Sequence, residues 1–216
     1  MTRTLIVGDV HGCLEELEAL VDKVGLRSED QLVLVGDLVA KGPDSAGVVR
    51  YARESRAFSV RGNHEDHWLR ARADGKGRSL SDADWAYLEQ TPDRLTLALC
   101  PVYAGLRRPA VHVVHAGFVP GIKLQDQDPE LMKSMRTVHD GEGSSHRKGR
   151  PWAAEWPGPD LVVFGHDAAR GLQQRPHALG LDTGCCYGGE LSGALIEGDS
   201  LSLVSVPAKA VYKPIS

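Results

Sequence analysis

Short apolar segments alternate with amphipathic segments in the first third of the chain, and each apolar segment ends at aspartate or asparagine beside a glycine. The apolar segments are TLIVGD (4–9), QLVLVGD (31–37) and AFSVRGN (57–63). Apolar residues recur at helical spacing in CLEELEALVDKVG (13–25) and SAGVVRYARES (45–55), and a polar helix through Trp68 and Leu69 follows the third segment. This order predicts a β-α-β-α-β beginning, which favours parallel strands covered by helices.

The second half of the chain is rich in predicted strands. They are VHVVHAG (111–117), LVVFGH (161–166), ALGLDTG (178–184) and GALIEGDSLSLVSV (193–206), the last with a hairpin turn at Gly198 and Asp199. The polar stretch HDGEGSSHRKGR (139–150) is expected to be a solvated loop, with a lid over the cleft or a domain linker as the alternatives. Because the motifs described next lie on both sides of it, we expect one domain over residues 1–216, an α/β sandwich of two packed sheets.

Composition narrows the class of protein. Apolar residues make up 42% of the 216 residues, enough for a substantial core. A formal net charge of −4 argues against DNA binding, because nucleic-acid-binding domains usually carry a basic face. No segment approaches the ~20 continuous apolar residues of a membrane span. The four cysteines lack a C-x-x-C pair and are typical of reduced thiols, so we expect a soluble, cytoplasmic protein.

Five predicted strand ends share one signature, an apolar run followed by glycine or asparagine with aspartate or histidine. They are GDVHG (8–12), GD (36–37), GNHE (62–65), HAG (115–117) and GH (165–166). Ligand sites in open α/β sheets lie where strands end. The side chains offered there are Asp9, His11, Asp37, Asn63, His115 and His166. Carboxylate, amide and imidazole ligands suit a pair of divalent cations such as manganese, iron or zinc, and Asp37 is the natural bridge between them.

The set GDVHG, GDLVAKG, RGNHE, HAG and GHD resembles the calcineurin-like metallophosphoesterases, and within them the phosphoprotein phosphatase superfamily. The resemblance covers nearly the whole chain and implies a four-layer α/β sandwich of two mixed β-sheets flanked by helices. It also implies two metal ions, one held by Asp9, His11 and Asp37 and the other by Asp37, Asn63, His115 and His166. Manganese is the expected metal, with iron, zinc, cobalt or magnesium as alternatives.

Two further stretches favour one branch of this superfamily. GDLVAKGPDS (36–45) and LDTGCCYGGEL (181–191) look most like segments of symmetrical diadenosine tetraphosphatases and of the related diadenosine-tetraphosphatase-like phosphatases. The resemblance implies a hydrolase that cleaves diadenosine tetraphosphate to two ADP with a metal-bound hydroxide. The expected partner is a small nucleotide or phosphate substrate, a phosphoprotein is the alternative, and no DNA or membrane partner is expected.

The second motif departs from that of the protein serine/threonine phosphatases, which reads GDxxDRG. Ala40 and Lys41 stand at the second aspartate and at the arginine, so His64, the expected general acid, lacks its usual carboxylate partner. A serine alkoxide leaves poorly and needs a proton, whereas a nucleoside diphosphate is already a stabilised anion. The departure therefore favours phosphoanhydride substrates over phosphoserine.

Four residues are predicted to bind substrate. Lys41 offers a point charge, whereas Arg61 and Arg136 offer planar guanidinium groups that suit phosphate. For Arg61 the alternative is a surface ion pair. Tyr187, directly after LDTGCC, is a candidate for stacking on a base, with a structural role as the alternative.

Weaker signals come from two pairs of residues near the motifs. Trp152 and Trp156 lie four residues apart, and we interpret them as anchors of their segment to the core rather than as a wall for a nucleobase. Cys185 and Cys186 lie close to the expected cleft. Small buried thiols are the commoner interpretation of such a pair, and a sensor of oxidation is the alternative.

Rival functions stay open. One is a serine/threonine protein phosphatase or broad phosphomonoesterase with the same metals, and a variant of it cleaves polyphosphate or capped RNA. The other is a metal-bound but inactive binding module, because the lost partner of His64 can also mark lost catalysis. Hydrolysis of an aryl phosphate during a manganese titration separates the inactive module from the enzymes.

Overall fold

The computed structural model describes residues 2–77 and 79–214. In this part of the chain, strands and helices alternate up to Glu89 and strands dominate afterwards, as the apolar pattern predicts. The helices are α1 (Leu14–Val24), α2 (Ser45–Glu54), α3 (Asn63–Ala73), α4 (Asp82–Glu89), α5 (Pro129–Ser134) and α6 (Trp152–Glu155). The strands are β1 (Thr4–Val7), β2 (Gln31–Leu34), β3 (Phe58–Ser59), β4 (Arg94–Leu97), β5 (Val102–Tyr103), β6 (Leu106–Arg107), β7 (Val111–Val114), β8 (Thr137–His139), β9 (Glu142–Ser144), β10 (Arg150–Pro151), β11 (Leu161–Phe164), β12 (Gln173–Arg175), β13 (Ala178–Gly180), β14 (Glu190–Glu197) and β15 (Ser200–Pro207).

The larger sheet has, among the described residues, seven strands in the order β3-β2-β1-β14-β15-β5-β6. Strands β1, β2 and β3 run parallel, whereas β14 pairs antiparallel with β1 and with β15. The register places Ile6 between Val33 on β2 and Ala194 on β14. The predicted hairpin turn at Gly198 and Asp199 connects β14 to β15. Residues from the beginning and the end of the chain therefore share one sheet.

The second sheet has, in the described part of the chain, five strands in the order β12-β13-β11-β7-β4. Its three central strands, β13, β11 and β7, run parallel, and the two edge strands are antiparallel to their neighbours. Both large sheets are thus mixed, as the family resemblance implies. Their parallel strands end where the predicted ligand residues begin, because β1 ends at Val7, β2 at Leu34 and β11 at Phe164.

Alternation along β1 shows why the strands are apolar on both faces. Leu5 and Val7 lie in a buried cluster with residues of α1 and α2, whereas Ile6 lies in a cluster with residues of the second sheet such as Val163. Successive side chains of a strand point to opposite faces of the sheet, so one face meets helices and the other meets the second sheet. Continuous apolar runs are expected for strands covered in this way.

The outer face of the second sheet is covered by α5 and α6. Met132 from α5 and Trp152 from α6 share a buried cluster with Val162 and Phe164 of β11. The described chain is therefore layered as helices, sheet, sheet and helices, which agrees with the expected four-layer sandwich. None of its helices has the length and apolar character needed to span a bilayer.

The prediction of a loop over residues 139–150 was wrong in part, because strands include His139, residues 142–144 and Arg150, whereas residues 145–149 lie outside helices and strands. The antiparallel strands β8 and β9 form a hairpin, with His139 opposite Glu142, and β10 pairs on the other side of β8. The signal lies in Asp140-Gly141, which have φ angles of 48° and 84°. Asp-Gly is a preferred pair for the two-residue hairpin turn that requires positive φ at both positions.

Trp152 anchors its segment to the core, as predicted. It is 1% exposed, its indole N–H donates to the carbonyl of Ala116 over 2.9 Å, and its ring lies 4.8 Å from that of Phe164. Helix α6 ends at Glu155, so Trp156 lies beyond it and packs on Phe118 with ring centroids 5.6 Å apart. The hydrogen bond to Ala116 holds the chain next to a predicted metal ligand, His115.

Candidate metal centre

The structure brings together the six side chains that were predicted as metal ligands. They follow the carboxyl ends of parallel strands in both large sheets: β1, β2, β3, β7 and β11. Ligand atoms of His11, Asp37 and His64 all lie within 4.8 Å of one another, and so do those of Asp37, His115 and His166. Asp37 belongs to both groups, which is the arrangement expected of a bridging ligand.

Asp37 is the geometric centre of the group. Its Oδ2 lies 3.4 Å from Nε2 of His11, and its Oδ1 lies 3.4 Å from Nε2 of His115. The side chain is almost fully buried. Burial alone would raise the pKa of Asp37, but the nearby His115 and His11 lower the pKa well below its ordinary value. The carboxylate therefore stays ionised and faces histidines from both sheets.

Three histidines are oriented by backbone carbonyls. Nδ1 of His11 lies 3.0 Å from the carbonyl oxygen of Val39, and Nδ1 of His115 lies 2.8 Å from that of Val35. His166 is turned the other way, with Nε2 3.0 Å from the carbonyl oxygen of Ser134. Histidine that binds a metal commonly donates its other N–H to such a partner. Each ring is thus held with its remaining nitrogen toward the centre.

Asp9 and Asn63 complete the set. The carboxylate of Asp9 accepts the backbone N–H of His166 over 3.1 Å, and the amide oxygen of Asn63 lies 3.1 Å from Nε2 of His115. Burial and the nearby Asp182 raise the pKa of Asp9 well above its ordinary value. The buried carboxylates of Asp9 and Asp182 repel each other, and cations bound beside them would relieve that repulsion.

The surroundings shift the pKa values of the buried histidines in opposite directions. Burial disfavours a charged ring, and it lowers the pKa of His11 to about 3. At His115 the Asp37 carboxylate outweighs burial and raises the pKa to about 10. The ammonium group of Lys41 lies 2.7 Å from Nε2 of His11, so a cation already faces this ligand atom. With His11 neutral and Asp37 ionised, the centre offers imidazole nitrogen and carboxylate oxygen, which are ligands that divalent cations accept.

Several ligand residues adopt backbone conformations that side chains rarely take. His11, Asp37 and His166 have φ angles of 46°, 52° and 70°. Residues other than glycine seldom occupy this left-handed region, and such strain clusters at functional sites. Gly165 allows the close approach of the neighbouring strand end, since a Cβ there would clash with the Asp9 carboxylate.

His64, the predicted general acid, lies beside Asp37 at the amino-terminal end of α3. Its backbone N–H donates to Oδ1 of Asp37 over 3.0 Å, and its Nε2 lies 4.0 Å from Oδ2. Its ring meets that of His11 edge-on, with centroids 4.9 Å apart. Burial lowers the pKa of His64, although a quarter of its side chain stays exposed. The exposed part faces a cavity.

A cavity of about 530 Å³ opens beside the centre. Its lining includes the predicted ligands Asp37, Asn63 and His166 together with His64. Cationic side chains from distant parts of the chain line it as well, namely Lys41, Arg136, Arg147 and Lys213. The cavity therefore combines a cluster of metal-type donors with positive charge, a combination that suits a phosphate-bearing ligand.

The predicted substrate residues differ in where they lie. Lys41, Arg136 and Tyr187 line the cavity, and the Lys41 ammonium lies 5.3 Å from the centroid of the Tyr187 ring. Arg136 is held by a hydrogen bond from Nη1 to the carbonyl of Ser145, while its buried Nε has no hydrogen-bond partner. Arg61 instead donates to the carbonyl of Glu89 over 2.8 Å and is not among the described residues that line the cavity.

The family model for calcineurin-like phosphoesterases matches residues 2–170, and these residues include all six metal-type ligands. The chain is a calcineurin-like phosphoesterase. Members of this family are metal-dependent hydrolases with a dinuclear divalent metal site, and the donor set described above fits two such ions. The expected family, the calcineurin-like metallophosphoesterases, and the expectation of a metal-dependent phosphoesterase are thereby confirmed.

Relatives of this phosphoesterase include named tetraphosphatases. It is 30% identical to the asymmetrical bis(5'-nucleosyl)-tetraphosphatase PrpE of Oceanobacillus iheyensis, with 87% of this chain and 86% of the relative covered. It is also 30% identical to the symmetrical bis(5'-nucleosyl)-tetraphosphatase of Aromatoleum aromaticum, over 88% of this chain and 92% of the relative. The two names differ in where the substrate is cut.

Solved structures agree on the fold. A structure provisionally named a diadenosine tetraphosphatase superposes with a TM-score of 0.82 at 39% identity, covering 96% of this chain and 94% of the other. A serine/threonine protein phosphatase from Saccharomyces cerevisiae superposes with a TM-score of 0.52 at 16% identity, over 99% and 81% of the two chains. This second likeness shows only that the fold is shared.

Sequence reasoning missed several residues that the phosphoesterase brings to its site. Asp182 lines the cavity with its carboxyl group buried, and burial raises the pKa of that group. It lies at the end of the predicted strand segment ALGLDTG (178–184), two residues after β13, so the rule that identified the other strand ends would have found it. Glu65 is fully buried and accepts backbone N–H groups from the loop that carries Asp37. Arg147 and Lys213 carry no such local signal.

Proposed function

We propose that this phosphoesterase hydrolyses phosphoanhydride bonds in dinucleoside polyphosphates, with diadenosine tetraphosphate as the substrate. The observation that carries the proposal is the cavity beside the centre, where Lys41, Arg136, Arg147 and Lys213 supply positive charge beyond the metal ligands. A phosphomonoester needs compensation for one phosphate, whereas a tetraphosphate chain needs it over several. The names of the tetraphosphatase relatives support the same substrate.

Two divalent cations, manganese in our proposal, are held by the six strand-end residues. Asp9, His11 and Asp37 would hold one, and Asp37, Asn63, His115 and His166 would hold the other. When bound, the cations supply Lewis-acid charge to the phosphoryl oxygens and lower the pKa of a nearby water. Asp37 keeps the two sets of ligands together because it contacts His11 on one side and His115 on the other.

His64 is the proton donor to the leaving oxygen. Its position beside Asp37 and its exposure to the cavity support this role. Without a carboxylate at position 40, the imidazolium form of His64 gains little support, and burial lowers its pKa further. A nucleoside diphosphate needs less help to leave than an alkoxide does. The chemistry therefore favours anhydride cleavage over phosphoserine hydrolysis.

Lys41, Arg136 and Tyr187 bind the substrate in this proposal. The guanidinium of Arg136, whose Nε makes no hydrogen bond and lies 3.8 Å from Asp167, is a donor for phosphate oxygens. The ammonium of Lys41 is a second donor once it leaves Nε2 of His11. Tyr187 offers a ring face for a nucleobase, beside Lys41. Arg61 is proposed for phosphate binding as well, although its side chain turns toward Glu89 here, so it must rotate to reach the substrate.

The position of the cut is part of the proposal. We propose symmetrical cleavage to two ADP, on the likeness of GDLVAKGPDS and LDTGCCYGGEL to symmetrical enzymes. Relatives carry both the symmetrical and the asymmetrical name, so product analysis is the deciding measurement.

We further propose that the chain acts as one domain in the cytoplasm, where its unpaired cysteines stay reduced.

The test is ion-exchange separation of the products from diadenosine tetraphosphate incubated with manganese-loaded protein. ADP alone is the expected result. AMP with ATP would keep the anhydride hydrolase and overturn the symmetrical cut. Absence of nucleotide products while an aryl phosphate is still hydrolysed would replace the proposal with a phosphomonoesterase. Asp37→Asn is the control, because it removes the shared ligand and should abolish turnover of both substrates.

A further inference from the structure

A second group of possible metal ligands, two thiols and a carboxylate, begins at the turn formed by His11, Gly12 and Cys13. Cys13, Glu16 and Cys185 are each at most 1% exposed, and one ligand atom from each lies within 4.8 Å of the other two. Cys13 precedes α1, Glu16 lies in its first turn, and Cys185 begins a 3₁₀ turn, Cys185–Tyr187. None of these residues takes part in the function proposed above.

Glu16 is oriented by partners on only one of its two oxygens. Oε1 accepts the backbone N–H of Lys209 over 2.9 Å and the hydroxyl of Tyr212 over 2.7 Å. Oε2 is buried and has no hydrogen-bond partner. A buried carboxylate oxygen without a donor is costly, and such a group calls for a specific explanation. The two bonds to Oε1 fix the orientation of a carboxylate that has one oxygen within 4.8 Å of both sulfurs.

The sulfur atoms of Cys13 and Cys185 lie within 4.8 Å of each other. The Cys13 thiol donates weakly to the carbonyl of His11 over 3.8 Å. A thiol is a poor donor and a poor acceptor, so this contact does little for a nearby carboxylate. A disulfide between the two cysteines would leave Glu16 without a counter-charge. A cation would satisfy all three groups at once.

We propose that Cys13, Glu16 and Cys185 bind one zinc-class divalent cation, separate from the dinuclear centre. Thiolates select zinc among the common biological cations, and a carboxylate is an accepted third ligand. The dinuclear centre offers only nitrogen and oxygen donors, so the two sites differ in ligand type. Cys186, the next residue and also buried, is the further sulfur available for a fourth position.

Such an ion would stabilise the backbone segments that form one side of the cavity. It joins the turn that carries His11, the turn that follows Asp182, and, through Tyr212 and Lys209, the segment that leads to Lys213 of the cavity wall. Lys213 is itself held there, since its backbone N–H donates to the carbonyl of Cys186 over 2.8 Å. The role of the ion is therefore structural.

Cadmium is the probe, because its thiolate complexes absorb in the near ultraviolet and its complexes with nitrogen and oxygen donors do not. The full chain is refolded from denaturant with reductant and cadmium, so that the buried site fills as the chain folds. We expect thiolate-to-cadmium charge-transfer absorption at one equivalent of cadmium per chain. The same absorption is expected in Asp37→Asn, whose dinuclear centre lacks its shared ligand.

Variants localise the signal. Cys13→Ser and Cys185→Ser should each reduce bound cadmium by one ion per chain. Glu16→Gln should lower the affinity of this site for cadmium about tenfold or more, because changing even a group that only orients a metal ligand costs that much. Cys100→Ser is the matched control, because Cys100 is an exposed thiol outside the cluster. It should leave absorption and stoichiometry unchanged.

Three results would overturn the proposal. The first is an absence of charge-transfer absorption in refolded wild-type protein with all thiols reduced. The second is absorption that survives in Cys185→Ser and disappears in Cys100→Ser. The third is a Cys13–Cys185 disulfide in protein refolded with cadmium and reductant. The wild type and Asp37→Asn decide the first and third results, so misfolding of a cysteine variant leaves the test intact.

Discussion

Ala40 is the residue at which the chemistry of this phosphoesterase departs most from that of protein phosphatases. It has a φ of 69°, and its backbone N–H donates to the Ser45 hydroxyl. Aspartate and asparagine occupy this left-handed region more readily than alanine does. A carboxylate can therefore be restored at position 40 without added backbone strain.

Ala40→Asp should raise turnover of an aryl phosphate or a phosphoserine peptide about tenfold or more relative to diadenosine tetraphosphate, a part of the about 10²–10⁴ that general acid catalysis contributes. The reason is that a carboxylate supports the protonated form of His64, which only a poor leaving group needs. The measurement is kcat/KM for both substrate classes. Ala40→Asn is the control, since it has the same shape without the charge. Equal gains for both classes, or an equal gain from asparagine, would contradict the leaving-group argument.

At the scale of elements, the amino-terminal end of α3 organises the loop after β2. Both carboxylate oxygens of Glu65 are used, since Oε2 accepts the N–H groups of Asp37 and Gly62 while Oε1 accepts those of Leu38 and Val39, over 2.8–3.2 Å. Burial and the neighbouring Asp37 raise the pKa of Glu65 to about 7. Glu65, at the start of α3, thus holds Asp37, the proposed bridging ligand, through the backbone N–H of Asp37.

Glu65→Gln should lower the free energy of unfolding by about 1–3 kcal/mol, because the amide nitrogen would face two backbone N–H donors and leave them without an acceptor. Urea denaturation measures the change, and the affinity for manganese should fall with it. Glu142→Gln, on the exposed hairpin, is the control and should change stability by less than about 0.5 kcal/mol. A Glu65→Gln protein as stable as the wild type would show that the loop does not depend on this carboxylate.

A second prediction at this scale concerns the start of β1. Arg3 donates to Asp30 through its backbone N–H, Nε and Nη2, over 2.7–3.0 Å, and the Asp30 side chain is inaccessible to solvent. The hydrogen bonds from Arg3 hold the pKa of Asp30 well below its ordinary value. Because this pKa is lower in the folded than in the unfolded chain, the stabilisation is present above the unfolded pKa of about 3.9 and is lost as the pH falls.

Asp30→Asn should therefore lower the melting temperature at pH 7, and the difference from wild type should shrink as the pH is lowered below about 4. Calorimetry across this pH range measures it. Asp199→Asn is the matched control, because Asp199 pairs with Arg107 over 2.9 Å while both side chains are about 60% exposed. Exposed pairs contribute little. A loss at pH 7 no larger than that of the control would refute the interpretation.

At the scale of the whole molecule, we expect packing between the two large sheets to contribute strongly to the free energy of unfolding. Ile6 is fully buried there, between Val33 and Ala194 within its own sheet and facing residues of the other sheet. Ile6→Ala should lower the free energy of unfolding by about 2–5 kcal/mol, the cost of a buried cavity. Leu203→Ala, at a position 40% exposed, should change it by less than about 0.5 kcal/mol. Chemical denaturation measures the free energy of unfolding of both variants. A loss for Ile6→Ala as small as that for Leu203→Ala would show that packing between the sheets contributes little to stability.

Much of the fold could be predicted because its signals are local. Strand ends with Gly-Asp, Gly-Asn and His-Ala-Gly, separated by helical periods, mark β1, β2, β3, β7 and β11 together with the ligands that follow them. The hairpin of β8 and β9 was missed although Asp140-Gly141 is also a local signal. Asp182 was missed in the same way, since its strand end follows the rule already in use. These were errors of interpretation rather than absent information.

The amino-acid sequence by itself determined the proposed ligand residues, the class of chemistry and the order of strands and helices, because each depends on neighbours within a few positions. Only the tertiary structure decided which long side chains share the cavity. Arg61 is next to the GNHE motif yet turns to Glu89, whereas Arg147 and Lys213 reach the cavity from far along the chain. The direction of a long side chain depends on carbonyls and carboxylates brought near by packing. That same packing joins Cys13, Glu16 and Cys185, which are 172 residues apart at their ends.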